Sequence, residues 1–311
     1  PAPIHFRDQN MTEQTYVVLE DRGVLALTGD DARSFLQGLI SNDINKVTPT
    51  HAIHAALLTP QGKYLHDFFI AETADGTLLL DGERARLDDL AKRLKLYKLR
   101  AKVTIEDQSE QWRVAALPGG AGADILGSDA GAALAKDGGV LFVDPRLTAL
   151  GGRAILPTDS AEATLSGLGL ATGDRTTYDL LRLGLGVPDG SRDMVVDKSI
   201  LLESGFDELN GVDWKKGCYM GQELTARTKY RGLIKKRLLP VEIEGALPEA
   251  GTPITLDGKE VGEVRSTAAT GSGGRGLALI RLEHLEAGPF EAAGAKVTPR
   301  KPDWAVLQTE T

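Results

Sequence analysis

Near residue 235 the chain changes texture, and this change limits what it can fold into more than any other feature. Beyond that point, short β-rich runs at 238–243, 254–256, 261–264 and 277–281 alternate with Gly, Pro and Asp. Asp257-Gly258 is a strong hairpin signal between two of them. A tail of this kind, 235–311, predicts a small all-β barrel or sandwich. Upstream, strand-like and helix-like runs are mixed. They predict an α+β region over 12–234 made of two lobes, approximately 12–110 and 111–234, with a discontinuous division allowed. A length of 311 residues suits such a division.

In the first lobe, residues 16–19 and 24–27 flank Asp21-Arg22-Gly23 and are expected to form a hairpin. Residues 28–31 offer cap chemistry to a short helix bearing Phe35, Leu36 and Leu39. Strands at 53–58 and 65–71 should flank a turn at Thr59-Pro60-Gln61-Gly62-Lys63. A strand at 77–80, a helix over 84–96 and a closing strand at 103–106 complete the lobe. The second lobe reads as a strand at 113–117, a Gly/Ala-rich helix over 121–136, strands at 140–143 and 153–156, and a helix at 160–168. No Gly-x-Gly-x-x-Gly follows a strand, so a dinucleotide-binding fingerprint is absent.

With 41% hydrophobic and 26% charged residues the chain is not wholly disordered. No apolar run reaches 18 residues, so no membrane span and no membrane partner are expected. The single cysteine, Cys218, excludes an intrachain disulfide and a four-cysteine metal site built by this chain alone. A reducing compartment follows. Cytoplasm is the expectation, with a mitochondrial origin after leader removal as the alternative. Residues 1–10 precede Met11 and read as a cloning remnant or an upstream start.

The net charge is −8, which argues against a general nucleic-acid coat. Its distribution says more. Between Trp214 and Arg237, eight cations face Glu223 alone, a net +7 that leaves −15 for the remainder. One basic island in an acidic chain is suited to an anion, although a solvated charge run is the commoner fate. Within it lies Lys215-Lys216-Gly217-Cys218-Tyr219-Met220-Gly221-Gln222-Glu223. Nearby lysines, and a helix beginning at Gly221-Gln222-Glu223, would favour a thiolate at Cys218, the form that acts as nucleophile and metal ligand. A lone cysteine is more often a small buried hydrophobe. Its Lys-Lys-Gly and Gly-Gln-Glu neighbours are poor core formers and point instead to an exposed, functional thiol.

This Lys-Gly-Cys-Tyr-x-Gly-Gln-Glu stretch resembles the signature of the YgfZ-type branch of the folate-binding aminomethyltransferase superfamily, whose parent member is the glycine-cleavage T-protein. Other stretches agree in order: Phe35-Leu36-Gln37-Gly38 with Ser41-Asn42-Asp43, Gln61-Gly62-Lys63 leading to Asp67, Tyr97-x-Leu99-Arg100, and Arg182-x-Gly184 with Gly186-x-Pro188. The resemblance implies two α+β lobes and a β-barrel arranged as a ring around a central channel for tetrahydrofolate. It implies a role in maturation or repair of iron–sulfur enzymes, without independent glycine-cleavage activity. Folate, an iron–sulfur carrier or scaffold protein, and client iron–sulfur enzymes would be the partners.

By the same resemblance Glu203 is the pterin-contacting acid, Arg227 and the basic island hold the glutamate tail, and Asp67 occupies the place of a catalytic acid. Lys216, Gln222, Tyr97 and Arg100 are further folate-binding candidates. Cys218 becomes the reactive group and a cluster ligand shared with a partner, since one cysteine cannot hold a cluster unaided. Gly62-Lys63-Tyr64-Leu65-His66 stands where true aminomethyltransferases carry a double-glycine, double-acid form, which counts against methylene transfer. The first alternative is a one-carbon transferase in which Asp67 orients the folate amine. The second is an RNA-binding module in which Trp214, Tyr219 and Tyr230 stack on bases. His51 and His54 would face opposite sides of a strand and, with His66, make a poor metal set.

Overall fold

A computed structural model describes residues 14–232 and 234–307, so the segment before Met11 lies outside the described residues. The chain opens with β1 (Thr15–Val18), β2 (Arg22–Thr28), α1 (Ala32–Gln37), β3 (Ile53–Leu58), β4 (Tyr64–Glu72), β5 (Leu78–Glu83), α2 (Leu87–Lys98) and β6 (Thr104–Asp107). It continues through β7 (Trp112–Pro118), α3 (Gly120–Leu126), β8 (Ala133–Lys136), β9 (Gly139–Val143), β10 (Gly151–Pro157), α4 (Ala161–Gly167) and β11 (Ala171–Thr172). Helices α5 (Arg175–Leu185), α6 (Gly190–Asp193) and α7 (Gln222–Tyr230) lead to the tail. There β12 (Lys236–Glu244), β13 (Pro253–Leu256), β14 (Lys259–Thr270), β15 (Gly273–Arg281), β16 (Phe290–Ala292) and β17 (Ala295–Pro299) close into a six-stranded barrel.

Two sheets pack face to face, each with helices on its outer side. The five-stranded sheet runs β3-β4-β5-β2-β6 and the six-stranded sheet β11-β1-β7-β10-β9-β8. Alternation along β2 and β4 explains the layering, because successive side chains point to opposite faces. Leu25, Leu27, Phe68 and Ile70 enter a core under α1 and α2 with Leu36, Leu87, Leu90 and Leu94. Val24, Ala26 and Phe69 face the other way and meet Val17, Val114, Phe142 and Ile155 of the second sheet. The outer face of that sheet, with Leu117, Leu141 and Leu156, is covered by Ala121 of α3 and Leu165 of α4.

Two expected elements differ. The runs at 16–19 and 24–27 do not pair as a hairpin: β1 joins β7 and β11, whereas β2 lies between β5 and β6. The turn between them carries the chain from one sheet to the other, so each strand buries its apolar face against a different core. The helix expected over 121–136 stops at Leu126, where Gly127 adopts φ +83°, and residues 133–136 form a strand against β9.

Between the sheets the core is ionic as well as apolar. Asp81 accepts from Arg22 Nε at 2.6 Å and from Arg153 Nη2 at 2.6 Å. Asp144 binds Arg146 at 2.8 Å, and Arg146 also donates to the Pro188 carbonyl. The Phe69 ring lies 4.0 Å from the Arg153 guanidinium carbon and 4.8 Å from that of Arg146. Burial alone would raise the Asp144 pKa, but the Arg146 guanidinium holds it below the usual carboxylate range. On the barrel side, Arg182 of α5 pairs with Asp193 at 2.7 Å, and Asp193 accepts from the Ser266 hydroxyl of β14. Leu183 packs with Leu238 and Leu277, so α5 ties the lobes to the barrel. Gly186 ends α5 in the left-handed region at φ +77°, where a Cβ would sit 3.0 Å from Pro240 of the barrel.

Removing one partner of a buried pair leaves a charge without compensation. Asp81→Asn is therefore expected to lower unfolding free energy by about 3–5 kcal/mol, read from the denaturant midpoint. Glu110→Gln, which breaks the exposed Arg84–Glu110 pair, should cost under about 1 kcal/mol. Equal small losses in both variants would show that the Asp81 network does not secure the interface.

Candidate functional site

Three motif segments, far apart in sequence, converge on the loop that carries Cys218. Gly221 (φ +82°) precedes α7, and a Cβ there would lie 2.6 Å from the Thr59 carbonyl oxygen and 3.0 Å from Gly62 Cα. Gly62 also has positive φ (+70°), and its Cβ would come 3.1 Å from the Gly221 carbonyl oxygen. The glycines of Gln-Gly-Lys and of Gly-Gln-Glu thus meet each other, which no larger residue would permit.

Lys216 binds the third segment. Its ammonium donates to the carbonyls of Gln37 (2.8 Å), Asn42 (2.9 Å) and Ile40, at and just beyond the end of α1. Three donors meet three acceptors, so the side chain has none left for a folate tail. Burial lowers its pKa to about 8, which still leaves it mainly protonated at neutral pH. Ser41 Oγ donates to the Gly211 carbonyl at 2.6 Å, Asn42 Nδ2 to the Asn210 carbonyl at 2.8 Å, and Met220 N to the Gly38 carbonyl at 3.2 Å. Tyr219 is buried with Ala56, Leu58, Tyr64 and Phe206. Between the buried Lys216 and Tyr219, Gly217 and Cys218 are pushed out, and the thiol is exposed.

Apart from the half-buried Lys236, the basic island divides into two sets. Lys216 is internal, Arg237 is buried against Glu208 and the Leu202 carbonyl, and Lys229 binds Asp207 at 2.9 Å while lying 4.2 Å from the Trp214 ring. Lys215, Arg227, Arg231 and Lys235 are exposed and make no ion pair among the described residues. Gln222 is half-buried in the first turn of α7.

Glu203 sits half-buried in a short 3-10 turn, Leu201–Ser204. Burial raises its pKa, opposed by Lys236 and Arg265 of the barrel and by Lys63 of the β3–β4 turn. No hydrogen bond reaches its carboxylate among the described residues. Asp67 is the opposite case: 5% exposed, it accepts from Tyr64 Oη at 2.8 Å and pairs with His54 Nε2 at 3.1 Å. Burial opposes ionisation of Asp67, but His54 and Arg22 hold its pKa low, while burial also lowers that of His54. A cavity of about 350 Å³, lined by Arg22, Glu83, Asp189, Gly190 and Arg192, approaches Asp67, because a Cβ on Gly190 would lie 3.6 Å from its Oδ1. Tyr97 and Arg100 are exposed at the end of α2, under which lie Phe68 and Ile70, so the first sheet separates them from Asp67.

Sequence reasoning missed the His54–Asp67–Tyr64 chain. His54 stood out only as a poor metal ligand, and nothing local marks it as the partner of a carboxylate on the next strand. His66 pairs with Asp89 at 2.8 Å, and no cluster of three metal-ligating side chains occurs among the described residues.

Lys216→Met would leave three buried carbonyls without a donor, at about 1–3 kcal/mol for an unsatisfied group. A total loss of about 2–4 kcal/mol is expected. Lys215→Met, one residue away and exposed, should stay within about 0.5 kcal/mol. Chemical denaturation of the two variants checks this contrast, and equal effects would refute the anchoring role.

Comparison with known proteins accords with this arrangement. Residues 19–152 match the GCVT N-terminal domain, and residues 235–307 match the CAF17 C-terminal beta-barrel domain. The glycine cleavage system aminomethyltransferase T from Bartonella henselae superposes with a TM-score of 0.75 over 94% of this chain and 86% of that one. At 14% identity this shows the aminomethyltransferase fold, as expected, and no more. The mitochondrial iron–sulfur cluster assembly factor IBA57 of Homo sapiens is 36% identical across 92% of this chain and 84% of its own length. Its Mus musculus counterpart is 34% identical over the same shares, and a Coccidioides immitis homologue is 32% identical across 88% and 72%. With identity of this level over nearly its whole length, the chain belongs to the IBA57 family of iron–sulfur cluster assembly factors.

Proposed function

We propose that this protein supports maturation of iron–sulfur enzymes by presenting Cys218 as one ligand to a cluster held jointly with a carrier or scaffold protein. The observation that carries this reading is the exposure of the only cysteine on a loop anchored on both sides, by Lys216 and by Tyr219. The cluster is cargo. A single thiolate supplies one of the four ligands it needs, so the partner supplies the others. The setting must keep a lone thiol reduced, as cytoplasm does or, for the named relatives, the mitochondrion.

Tetrahydrofolate is proposed as the bound cofactor, and Glu203 is the residue that fits it. A half-buried carboxylate without a donor is suited to the paired N–H groups of a pterin edge. Lys63, Lys236 and Arg265 lie close enough to influence Glu203 electrostatically, and the exposed Arg227 and half-buried Gln222 are available to the anionic tail. When bound, folate supplies a reduced pterin able to carry one-carbon units. Lys216 has no donor to spare, and Tyr97 and Arg100 lie on the outer face of the first lobe. The transferase alternative finds little support at Asp67, whose two carboxylate oxygens are already engaged by Tyr64 and His54. The RNA alternative loses its platform, since Trp214 is covered by Lys229 and meets Tyr230 edge-on.

Two outcomes are expected. Cys218→Ala should melt within about 2 °C of the wild type, as an exposed position allows, yet fail to restore iron–sulfur enzyme activities in a complemented strain. Normal complementation would remove the thiol from the mechanism. Titration calorimetry with tetrahydrofolate should show saturable binding, weakened about tenfold or more in Glu203→Gln through loss of a charge-assisted hydrogen bond. Binding by Glu203→Gln equal to the wild type would reassign the pterin site.

A further inference from the structure

We propose that the C-terminal end of α2 is a docking tip for an anionic phospholipid surface. Leu96, Tyr97 and Leu99 are 75%, 45% and 89% exposed. Among the described residues, seven large apolar side chains are exposed, and three of them fall within these four positions. Such clustering marks an interaction site more than scattered exposure does. Leu99 is also held at φ +45°, a region costly for a branched side chain, by a turn in which Ala101 N donates to the Lys98 carbonyl at 2.8 Å. The fold therefore accepts strain and keeps a leucine in water at the same point.

The cations around the tip belong to the same feature. Residues 92–103 contain six Lys and Arg and no acid. Arg93 is tied to Asp89 at 2.7 Å, and Lys102 lies 3.7 Å from Asp30. Lys92, Lys95, Lys98 and Arg100 make no ion pair among the described residues. Cations in a last helical turn do favour the helix dipole, which accounts for Lys95 and Lys98. It does not account for Arg100 beyond the helix, or for the leucines. The inner face of α2 is already spent on the core through Leu87, Leu90, Ala91 and Leu94, so the core does not use the exposed Leu96, Tyr97 and Leu99.

The composition favours lipid over a protein partner. Protein interface cores are depleted in Lys and enriched in Arg. Here three of the four unpaired cations are Lys, beside a tyrosine of the kind that sits at the membrane–water boundary. Leucines entering the headgroup region, with lysines above them, are the physics of a surface-bound amphipathic element. No helix among the described residues is long and apolar enough to cross a membrane. The proposal departs from the sequence expectation of no membrane partner.

Flotation of the full chain with vesicles of phosphatidylcholine alone, or mixed equally with phosphatidylglycerol, tests this. Binding to the mixed vesicles should be about tenfold or more tighter, and should weaken with salt. The Leu96→Ser/Leu99→Ser double variant should lose about tenfold in vesicle affinity, with an unchanged melting temperature because both side chains are exposed. The Arg231→Gln/Lys235→Gln variant, which alters the other basic surface, should bind as the wild type. Equal binding to both vesicle types, full binding by the leucine variant, or loss confined to the Arg231/Lys235 variant would each overturn the proposal. None of these outcomes bears on the iron–sulfur reading, whose test is Cys218→Ala.

Discussion

Asp81 between Arg22 and Arg153 is the contact on which the rest of the molecule depends. It lies where two sheets meet face to face, and each sheet brings one of the arginines. Apolar side chains around it supply most of the driving force, since burial is non-directional and scales with area. The ion pairs add a registry that apolar packing lacks. A guanidinium out of water is tolerated only when its carboxylate is in the right place. Phe69, with Arg153 and Arg146 against its ring, serves both purposes: it fills volume and presents a negative π-face to the cations.

The same device recurs outward from that interface. Arg182 and Asp193 join α5 to the barrel through Ser266, and Arg237 of β12 reaches back to Glu208 and the Leu202 carbonyl. Lys216 extends it to the motif loop, with three carbonyls in place of a carboxylate. A rigid frame of this kind allows an exposed residue to be held in a defined place. Cys218 needs no partner of its own because its neighbours on both sides are fixed.

Much of this was legible in the residues. The barrel was visible in its short runs and in Asp257-Gly258, and the start of α7 in Gln222-Glu223 after Gly221. Exposure of Cys218 was expected from its neighbours, although Lys216 among them is itself buried. The failures have a common cause. Residues 16–19 and 24–27 look like a hairpin because turn chemistry is local, yet their partners lie in β7, β5 and β6, dozens of residues away. Lys215 and Lys216 are the same residue type side by side, one in solvent and one buried on three carbonyls. Asp67 could be singled out as an acid, but that His54 occupies one of its oxygens depends on the register between β3 and β4.

The sequence by itself determined the barrel and most element types, because periodicity and turn chemistry are properties of a few neighbouring residues; the early end of α3 and the strand at 133–136 were not among them. Tertiary structure decided which charges are spent and which are free. Of eight cations in the basic island, Lys216, Lys229 and Arg237 are committed to internal partners, Lys236 is half-buried near Glu203, and Lys215, Arg227, Arg231 and Lys235 remain on the surface. The reason is physical. A charge is worth little until its solvent exposure and its partner's distance are known, and both are set by chain segments that meet only once the fold is complete.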